Sequence, residues 1–255
     1  MSSLFSLDGK VAVITGSSRG IGQAIAERMA EAGARVVISS RKADACAAVA
    51  ERINAAHPGA AIAQAANISS KDDLRRLVDA ATAAFGGVDI LVCNAATNPF
   101  FGSLIDIGDD QFRKVLENNI ISNNWLVQMV VPGMVERKDG TIIIVSSIGG
   151  LKGSTVLGAY AISKAADMQL ARNLACEYGK HNIRVNCIAP GLIKTDFAKA
   201  LWDNPETLKA CTARSPLLRI GIPDEIAGAA VFMGSKAGDF MTGQTMVIDG
   251  GATIS

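Results

Sequence analysis

Val11-Ala-Val-Ile-Thr-Gly16-Ser-Ser-Arg-Gly20-Ile-Gly22 joins a short β-branched run to a helical pattern through a glycine-rich turn. Residues 11–14 read as a strand. Residues 21–32 read as the helix after it, with Ile21, Ala24, Ile25 and Met29 on one face. Gly16 allows a tight turn, Gly20 lets the backbone approach a pyrophosphate, and Gly22 lets the helix pack close to the sheet. Free N–H groups and the helix dipole then favour phosphate charge. Turns collect glycine for steric reasons alone. The placement between strand and helix makes this triplet a dinucleotide signal, with Gly16, Ser18, Arg19, Gly20 and Ile21 as candidate cofactor contacts.

The same alternation runs to the end of the chain. Strands are expected at 35–39, 61–64, 90–93, 142–145, 185–188 and 246–248. Helices are expected at 43–54, around Leu74, Leu77, Val78, Ala81 and Phe85, and as long elements at 109–131 and 160–178. The strands are continuous apolar runs, as a parallel sheet buried on both faces requires. Repeated βα units imply an α/β, doubly wound (Rossmann) architecture. With no repeat, low-complexity tract or Pro/Ser-rich linker, residues 1–255 are expected to form a single domain. Residues 195–218, with Trp202, Pro205 and Pro216, exceed an ordinary connection and precede the helix begun by Pro223-Asp-Glu225. Such an insertion reads as a helical lid over a site, or as a surface helical hairpin.

Bulk properties exclude several classes. Lys plus Arg number 25 against 24 for Asp plus Glu, so no basic stripe for nucleic acid is expected. Five scattered cysteines with no CxxC pair argue against a disulfide framework, and Cys93 and Cys187 lie in apolar runs where they pack as small hydrophobes. Only His57 and His181 are present, and no metal site is expected. The opening MSSLFSLDGK lacks a signal-peptide pattern, and the apolar run 142–145 is too short to span a bilayer. A cytoplasmic protein with no membrane partner is the expectation.

The second strand leads into Ser39-Ser40-Arg41-Lys42. An acidic residue there would bind the adenosine ribose 2′-OH and repel a 2′-phosphate. Ser40 and Arg41, with Arg19 in the glycine turn, favour NADP(H) instead, because a guanidinium matches phosphate geometry; NAD(H) stays open. Tyr160-Ala-Ile-Ser-Lys164 places a phenol and an ammonium one helical turn apart. A phenol is a poor base near neutral pH, and a nearby ammonium favours its ionised form, which makes such a pair a usable general acid/base. Alone, this spacing is common surface decoration.

Joined to its context the spacing says more. Thr15-Gly-x-x-x-Gly-x-Gly22, Asn94-Ala-Ala96, Ser147, Tyr160-x-x-x-Lys164, Pro190-Gly191 and Asp249-Gly-Gly251 stand in an order and spacing that resembles the short-chain dehydrogenase/reductase family along essentially the whole chain. The resemblance implies a seven-stranded parallel sheet ordered 3-2-1-4-5-6-7 with a site at the strand C-terminal ends. It implies that Tyr160 moves the proton and that Lys164 binds the nicotinamide ribose and supports the ionised Tyr160. Ser147, thirteen positions before Tyr160, would hydrogen-bond the substrate oxygen, and Ser146 is left as a strand-end hydroxyl. Of Asn118 and Asn119, the count from Phe112 favours Asn119 as the residue that holds a water for a proton relay. Asn94 and Ala95 would lie near the adenosine, where Ala96 replaces the family's glycine. Asn67 would meet the adenine, Ile68 would give a backbone contact, and Pro190, Gly191, Ile193 and Thr195 would press on the nicotinamide.

The implied reaction is hydride transfer between NADP(H) and a carbonyl or secondary alcohol, in either direction. Asn98-Pro-Phe-Phe-Gly102 looks like the NADPH-dependent peroxisomal carbonyl reductases acting on ketones and retinal, although the chain ends Ala252-Thr-Ile-Ser255 without a peroxisomal tripeptide. Phe100, Phe101, Leu151 and Trp202 are the candidate apolar substrate pocket. Alternatives are a 3-oxoacyl carrier-protein reductase, for which Lys194 and Lys199 are the hint, and an NAD-dependent secondary alcohol dehydrogenase. Enoyl reductases of this fold space Tyr and Lys more widely. Outside enzymes, the alternative is a dinucleotide-sensing binding protein. A homotetramer, built on the long helices and the last strand, is what the resemblance implies.

Overall fold

A computed structural model describes residues 3–254; Met1 and Ser2, where the signal-peptide reading starts, and the terminal Ser255 lie outside them. Seven strands form one parallel sheet in the order β3-β2-β1-β4-β5-β6-β7. They are β1 (Val11–Thr15), β2 (Arg35–Ser39), β3 (Ala61–Ala63), β4 (Ile90–Cys93), β5 (Gly140–Val145), β6 (Ile183–Pro190) and β7 (Thr245–Ile248). Every residue of β1, β4 and β5 is buried, which is why these three read as unbroken apolar runs. The edge strands β3 and β7 are only partly covered.

Side chains of each strand alternate between two cores. Ala12 and Ile14 face one core with Ile90 and Val92; α1 (Gly20–Glu31), α2 (Ala43–Ala56) and α9 (Pro223–Gly234) cover it. Val13 faces the other core with Leu91 and Cys93; α3 (Lys71–Phe85), α5 (Ser122–Arg137) and α6 (Gly158–Tyr178) cover that one. Three shorter helices complete the set: α4 (Asp109–Leu116), α7 (Lys199–Trp202) and α8 (Pro205–Thr212). The order of strands reverses between β1 and β4, which leaves a crevice beyond their C-terminal ends.

The long helix expected at 109–131 differs from what forms. It is broken by a π-turn at Glu117–Ile121 and then runs on to Arg137, with Pro132 inside it. A π-turn widens the helix by one residue. Here it brings Asn118 and Asn119 into the interior together. The 195–218 segment folds as a short 3₁₀ turn (Asp196–Ala198) followed by α7 and α8, without a strand of its own.

Candidate active site

The crevice begins at the glycine turn. Gly16 has φ +66°, a conformation that suits glycine. A Cβ on Gly22 would stand 2.5 Å from both the carbonyl oxygen of Gly16 and Nδ2 of Asn94, so the turn closes onto α1 with no side chain between. Ser17 clamps the turn sideways: its Oγ donates to the Ile14 carbonyl at 2.7 Å and accepts the Ser39 N–H at 2.8 Å. Asn94 closes the other side by donating Nδ2 to the carbonyls of Thr15 (2.8 Å) and Gly16 (3.2 Å). The N–H groups of Asn94 and Ala95 both donate to Thr15 Oγ1 at 3.0 Å. The N-cap residue of α1 is Arg19, whose side chain makes no cap hydrogen bond. The first amides of a helix have no intrahelical partner, which is what a phosphate site uses. These residues fit a dinucleotide.

Ser18 is half-buried in this turn and Ile21 packs into the core beneath it. Arg19 and Arg41 are exposed on the two lips, at the starts of α1 and of the loop after β2. Arg19 meets Asp196 of the 195–218 segment at 3.3 Å, an exposed contact of little energetic weight. Ser40 contacts Cys46 and accepts the Lys42 N–H at 3.3 Å. Asn67 sits beyond β3, its N–H donated to Asp73 at 2.9 Å, and Ile68 packs against the core. On the far side, Pro190 ends β6, Gly191 donates its N–H to Ile248 at 2.9 Å, and Ile193 is buried. A Cβ on Gly20 would meet Thr195 Cγ2 at 3.3 Å, so the glycine turn and the strand-six loop face one another.

Tyr160 and Lys164 lie one turn apart on α6, with Nζ 5.7 Å from the centre of the phenol ring. Ser147 lies just past the end of β5 and caps the 3₁₀ turn Ile148–Gly150 through Oγ, which accepts the Gly149 N–H at 3.0 Å. A Cβ on Gly149 would touch Ser147 Oγ at 3.4 Å and Tyr160 Cε1 at 3.9 Å, so the hydroxyl and the phenol flank one glycine. Ser146 points elsewhere. It is buried and donates to the Lys164 carbonyl at 2.7 Å, tying β5 to α6.

Lys164 is almost wholly enclosed, and Nζ donates to the Val145 carbonyl and to Asp167 Oδ2, each at 2.9 Å. Burial pulls this ammonium down, yet the Asp167 carboxylate and Tyr160 more than offset it and leave it above the ordinary lysine range. Burial pushes the Asp167 carboxyl up, against the pull of Lys164 and Asn123. Both of its oxygens nonetheless accept, from Lys164 Nζ and Asn123 Nδ2, which is the pattern of an ionised carboxylate.

Asn119 is fully buried and its amide is entirely engaged. Oδ1 accepts the Thr97 N–H at 2.8 Å, and Nδ2 donates to the Thr97 carbonyl and to Ser163 Oγ, both at 3.0 Å. Ser163 in turn donates to the Tyr160 carbonyl at 2.7 Å. Asn119 thus braces the loop after β4 against the helix that carries Tyr160 and Lys164.

Of the expected pocket residues, Phe100 folds back over Gly102, and that loop pairs with the start of α6 through the Gly102 N–H and the Val156 carbonyl at 2.9 Å. Leu151 is half-exposed just past Ser147. Trp202 donates Nε1 to the Thr195 carbonyl at 2.9 Å and carries Lys194 on its ring face. The aromatic of the 195–218 segment that stands against Tyr160 is Phe197, with ring centres 6.1 Å apart. Phe197, Asp167 and Asn123 were absent from the sequence expectation. Positions 160, 164 and 167 share one helix face, but that spacing alone does not tell a buried Asp167 from a solvated one. Among the described residues, no group of three or more His, Cys, Asp or Glu is placed to hold a metal ion. No helix there is long and apolar enough to cross a membrane.

Comparison with known proteins agrees with this geometry. A family model described as Enoyl-(Acyl carrier protein) reductase matches residues 16–253. The chain is 42% identical over 249 residues to the Bos taurus protein "Dehydrogenase/reductase SDR family member 4", covering 96% of this chain and 88% of that one. A gluconate 5-dehydrogenase from Burkholderia cenocepacia, solved with NADP and tartrate, superposes with a TM-score of 0.94 at 33% identity, covering 99% of this chain and 98% of that one. A 7 alpha-hydroxysteroid dehydrogenase solved with NADH and 7-oxo glycochenodeoxycholic acid superposes with a TM-score of 0.94 at 39% identity, covering 98% and 97%. On its fold, its glycine turn and these matches, the chain belongs to the short-chain dehydrogenase/reductase family and is an oxidoreductase that uses a nicotinamide dinucleotide.

Proposed function

We propose that the chain interconverts carbonyl compounds and secondary alcohols with NADP(H), Tyr160 acting as the general acid/base. The observation that carries this reading is that Tyr160, in the first turn of α6, shares Gly149 with Ser147 on one side and has Lys164 Nζ 5.7 Å from its ring centre on the other. Ser147 Oγ would hold the substrate oxygen, Tyr160 would give or take its proton, and Lys164 would stabilise the ionised phenol and bind the nicotinamide ribose. The bound cofactor would supply or accept the hydride. Arg19 and Arg41 support NADP(H), because no carboxylate follows β2 to repel a 2′-phosphate. The solved relatives carry NADP in one case and NADH in another.

The family model carries the name of an enoyl reductase, but the three-residue gap between Tyr160 and Lys164 favours carbonyl chemistry. A carrier-protein substrate is less well supported, since Lys194 lies over Trp202 and Lys199 stands 3.8 Å from Asp203 within the lid. An intact Asn119, Ser147, Tyr160 and Lys164 set speaks against a sensor without turnover. The single sheet supports one domain over residues 1–255, the family resemblance supports a homotetramer, and the opening residues, read as lacking a signal-peptide pattern, support a cytoplasmic location.

The test is a panel of ketones, aldehydes and secondary alcohols assayed with NADPH and NADH. Tyr160→Phe is expected to lower kcat by roughly 10²- to 10⁴-fold, the usual weight of a general acid/base. Clear preference for NADH overturns the cofactor assignment. No turnover of any carbonyl or alcohol overturns the reaction.

A further inference from the structure

The carboxylate behind Lys164 has no part in the reaction just described. Asp167 is fully buried, one turn further along the same face of α6, and one oxygen accepts from Lys164 Nζ at 2.9 Å. The other accepts from Asn123 Nδ2 at 3.1 Å, and the same nitrogen donates to the Asn119 carbonyl at 2.6 Å. Asn119 lies in the π-turn Glu117–Ile121 and Asn123 one turn on in α5, on the same face. Four residues of two helices and a π-turn thereby form one buried polar chain that ends on the ammonium.

A buried ion pair is a poor source of stability. Apolar residues of similar volume in its place are often neutral or better, because both charges have lost their water. Asp167 therefore calls for a reason other than folding energy, and its contacts supply one. The ammonium has three N–H donors. The Val145 carbonyl and Asp167 take two in fixed directions, which leaves one to turn toward the crevice.

We propose that Asp167 is a positioning residue for the Tyr160–Lys164 pair: clamped by Asn123, its carboxylate fixes the ammonium beside the phenol and partly neutralises it. This rests on the reaction assigned to Tyr160 above. The charged and titratable groups facing Asp167 are few. Lys164 and Tyr160 share its helix, Cys93 reaches it from β4 and Cys187 from β6, and Asn123 from α5 is neutral. The Cys187 thiol is pushed up to about 12, by burial first and by the Asp167 charge second, so at neutral pH it is no competing anion. Among the described residues, Lys164 is thus the one cation paired with Asp167, and the carboxylate opposes its field at Tyr160.

The decisive measurement is the pH dependence of kcat/KM for alcohol oxidation in wild type and Asp167→Asn. Without the carboxylate the ammonium acts unopposed, and the acidic limb is expected to move to lower pH by about one unit. Substrate KM should stay within about twofold while kcat falls roughly tenfold, since Asp167 touches the ammonium and not the substrate. Independently of turnover, the ¹³Cε resonance of Lys164, assigned by its loss in Lys164→Met, should titrate at lower pH in Asp167→Asn than in wild type. If Asp167→Asn does not fold, the double variant Asn123→Val/Asp167→Leu removes charge and clamp together and carries the same expected shifts. An unmoved limb, or one displaced to higher pH, overturns the proposal and leaves Asp167 a structural residue. Should wild type turn over nothing, the assigned reaction fails, and an unshifted Lys164 resonance would then reject control by Asp167 as well.

Discussion

A methyl group at position 22 would have to share space with two atoms that are bonded to each other. The Gly16 carbonyl and Asn94 Nδ2, 3.2 Å apart, would both stand 2.5 Å from it. Gly22→Ala must therefore part α1 from the turn or Asn94 from β1. Overpacking of this kind typically costs about 1–3 kcal/mol, and the amides that would face the phosphates move with it. The expected outcome is a lower midpoint in urea together with NADPH affinity reduced by at least roughly tenfold, about the weight of one charged hydrogen bond. Unchanged binding would show that the cofactor does not lie on this turn. That Tyr160 and Lys164 stand one turn apart was legible in the sequence because their spacing is local to one helix, whereas Ser147 entered only through the family resemblance. Asp167 and Asn123 were not legible, because a polar residue in a helix reads as solvated until the partner from another helix is known. Phe197 escaped for a similar reason: within a lid, sequence does not say which aromatic turns inward.

At the scale of the element, α3 shows how a cap secures the loop after β3. Ser70 Oγ accepts the Asp73 N–H at 3.2 Å and donates to Asp73 Oδ1 at 2.9 Å, while Asp73 Oδ2 accepts the Asn67 N–H at 2.9 Å. The Asn67 N–H first, and the Ser70 hydroxyl second, hold the Asp73 carboxyl below the usual aspartate range. A carboxyl lowered in the folded state adds stability that is full above its unfolded value and is lost as pH falls through and below it. Melting temperatures of wild type and Asp73→Asn should therefore differ most at neutral pH, the gap shrinking as pH falls below about 4, the free aspartate value, and closing only below the lowered folded-state value. A gap that does not shrink at all as pH falls below about 4 would mean that the side chain acts by shape and not by charge. The elements themselves were legible wherever the hydrophobic period was strong, as in α3 and in β1, β4 and β5. The π-turn was not, because inserting one residue into a turn leaves the surrounding helical pattern almost unaltered. Neither was the extension of α5 through Pro132, where packing of Val130, Val131 and Met134 on the sheet outweighs a missing N–H.

For the whole molecule, the crevice is a consequence of strand order. Chain reversal between β1 and β4 puts the glycine turn beside Asn94, and the next strands bring Ser147 and Pro190 to the same edge. The candidate cofactor contacts thus come from the ends of β1, β2, β3, β4 and β6 and from α6. A ligand spanning them links segments that cover opposite faces of the sheet, so its binding energy opposes global unfolding and not the fraying of one loop. Binding to the folded state alone stabilises by RT ln(1 + [L]/Kd), about 2.7 kcal/mol at a hundredfold excess over Kd. At a shift of about 2–4 °C per kcal/mol for chains of this size, NADPH should raise the melting temperature by about 5–10 °C. NADH at the same concentration should raise it less, by the share of affinity that Arg19 and Arg41 lend to the 2′-phosphate. Arg41→Asp should bring the two shifts together or reverse them, while Tyr160→Phe, which alters the reacting end only, should leave the NADPH shift in place. Equal shifts for the two cofactors in wild type would remove the basis for NADP(H) preference, and no shift for either would mean that the crevice does not hold a dinucleotide.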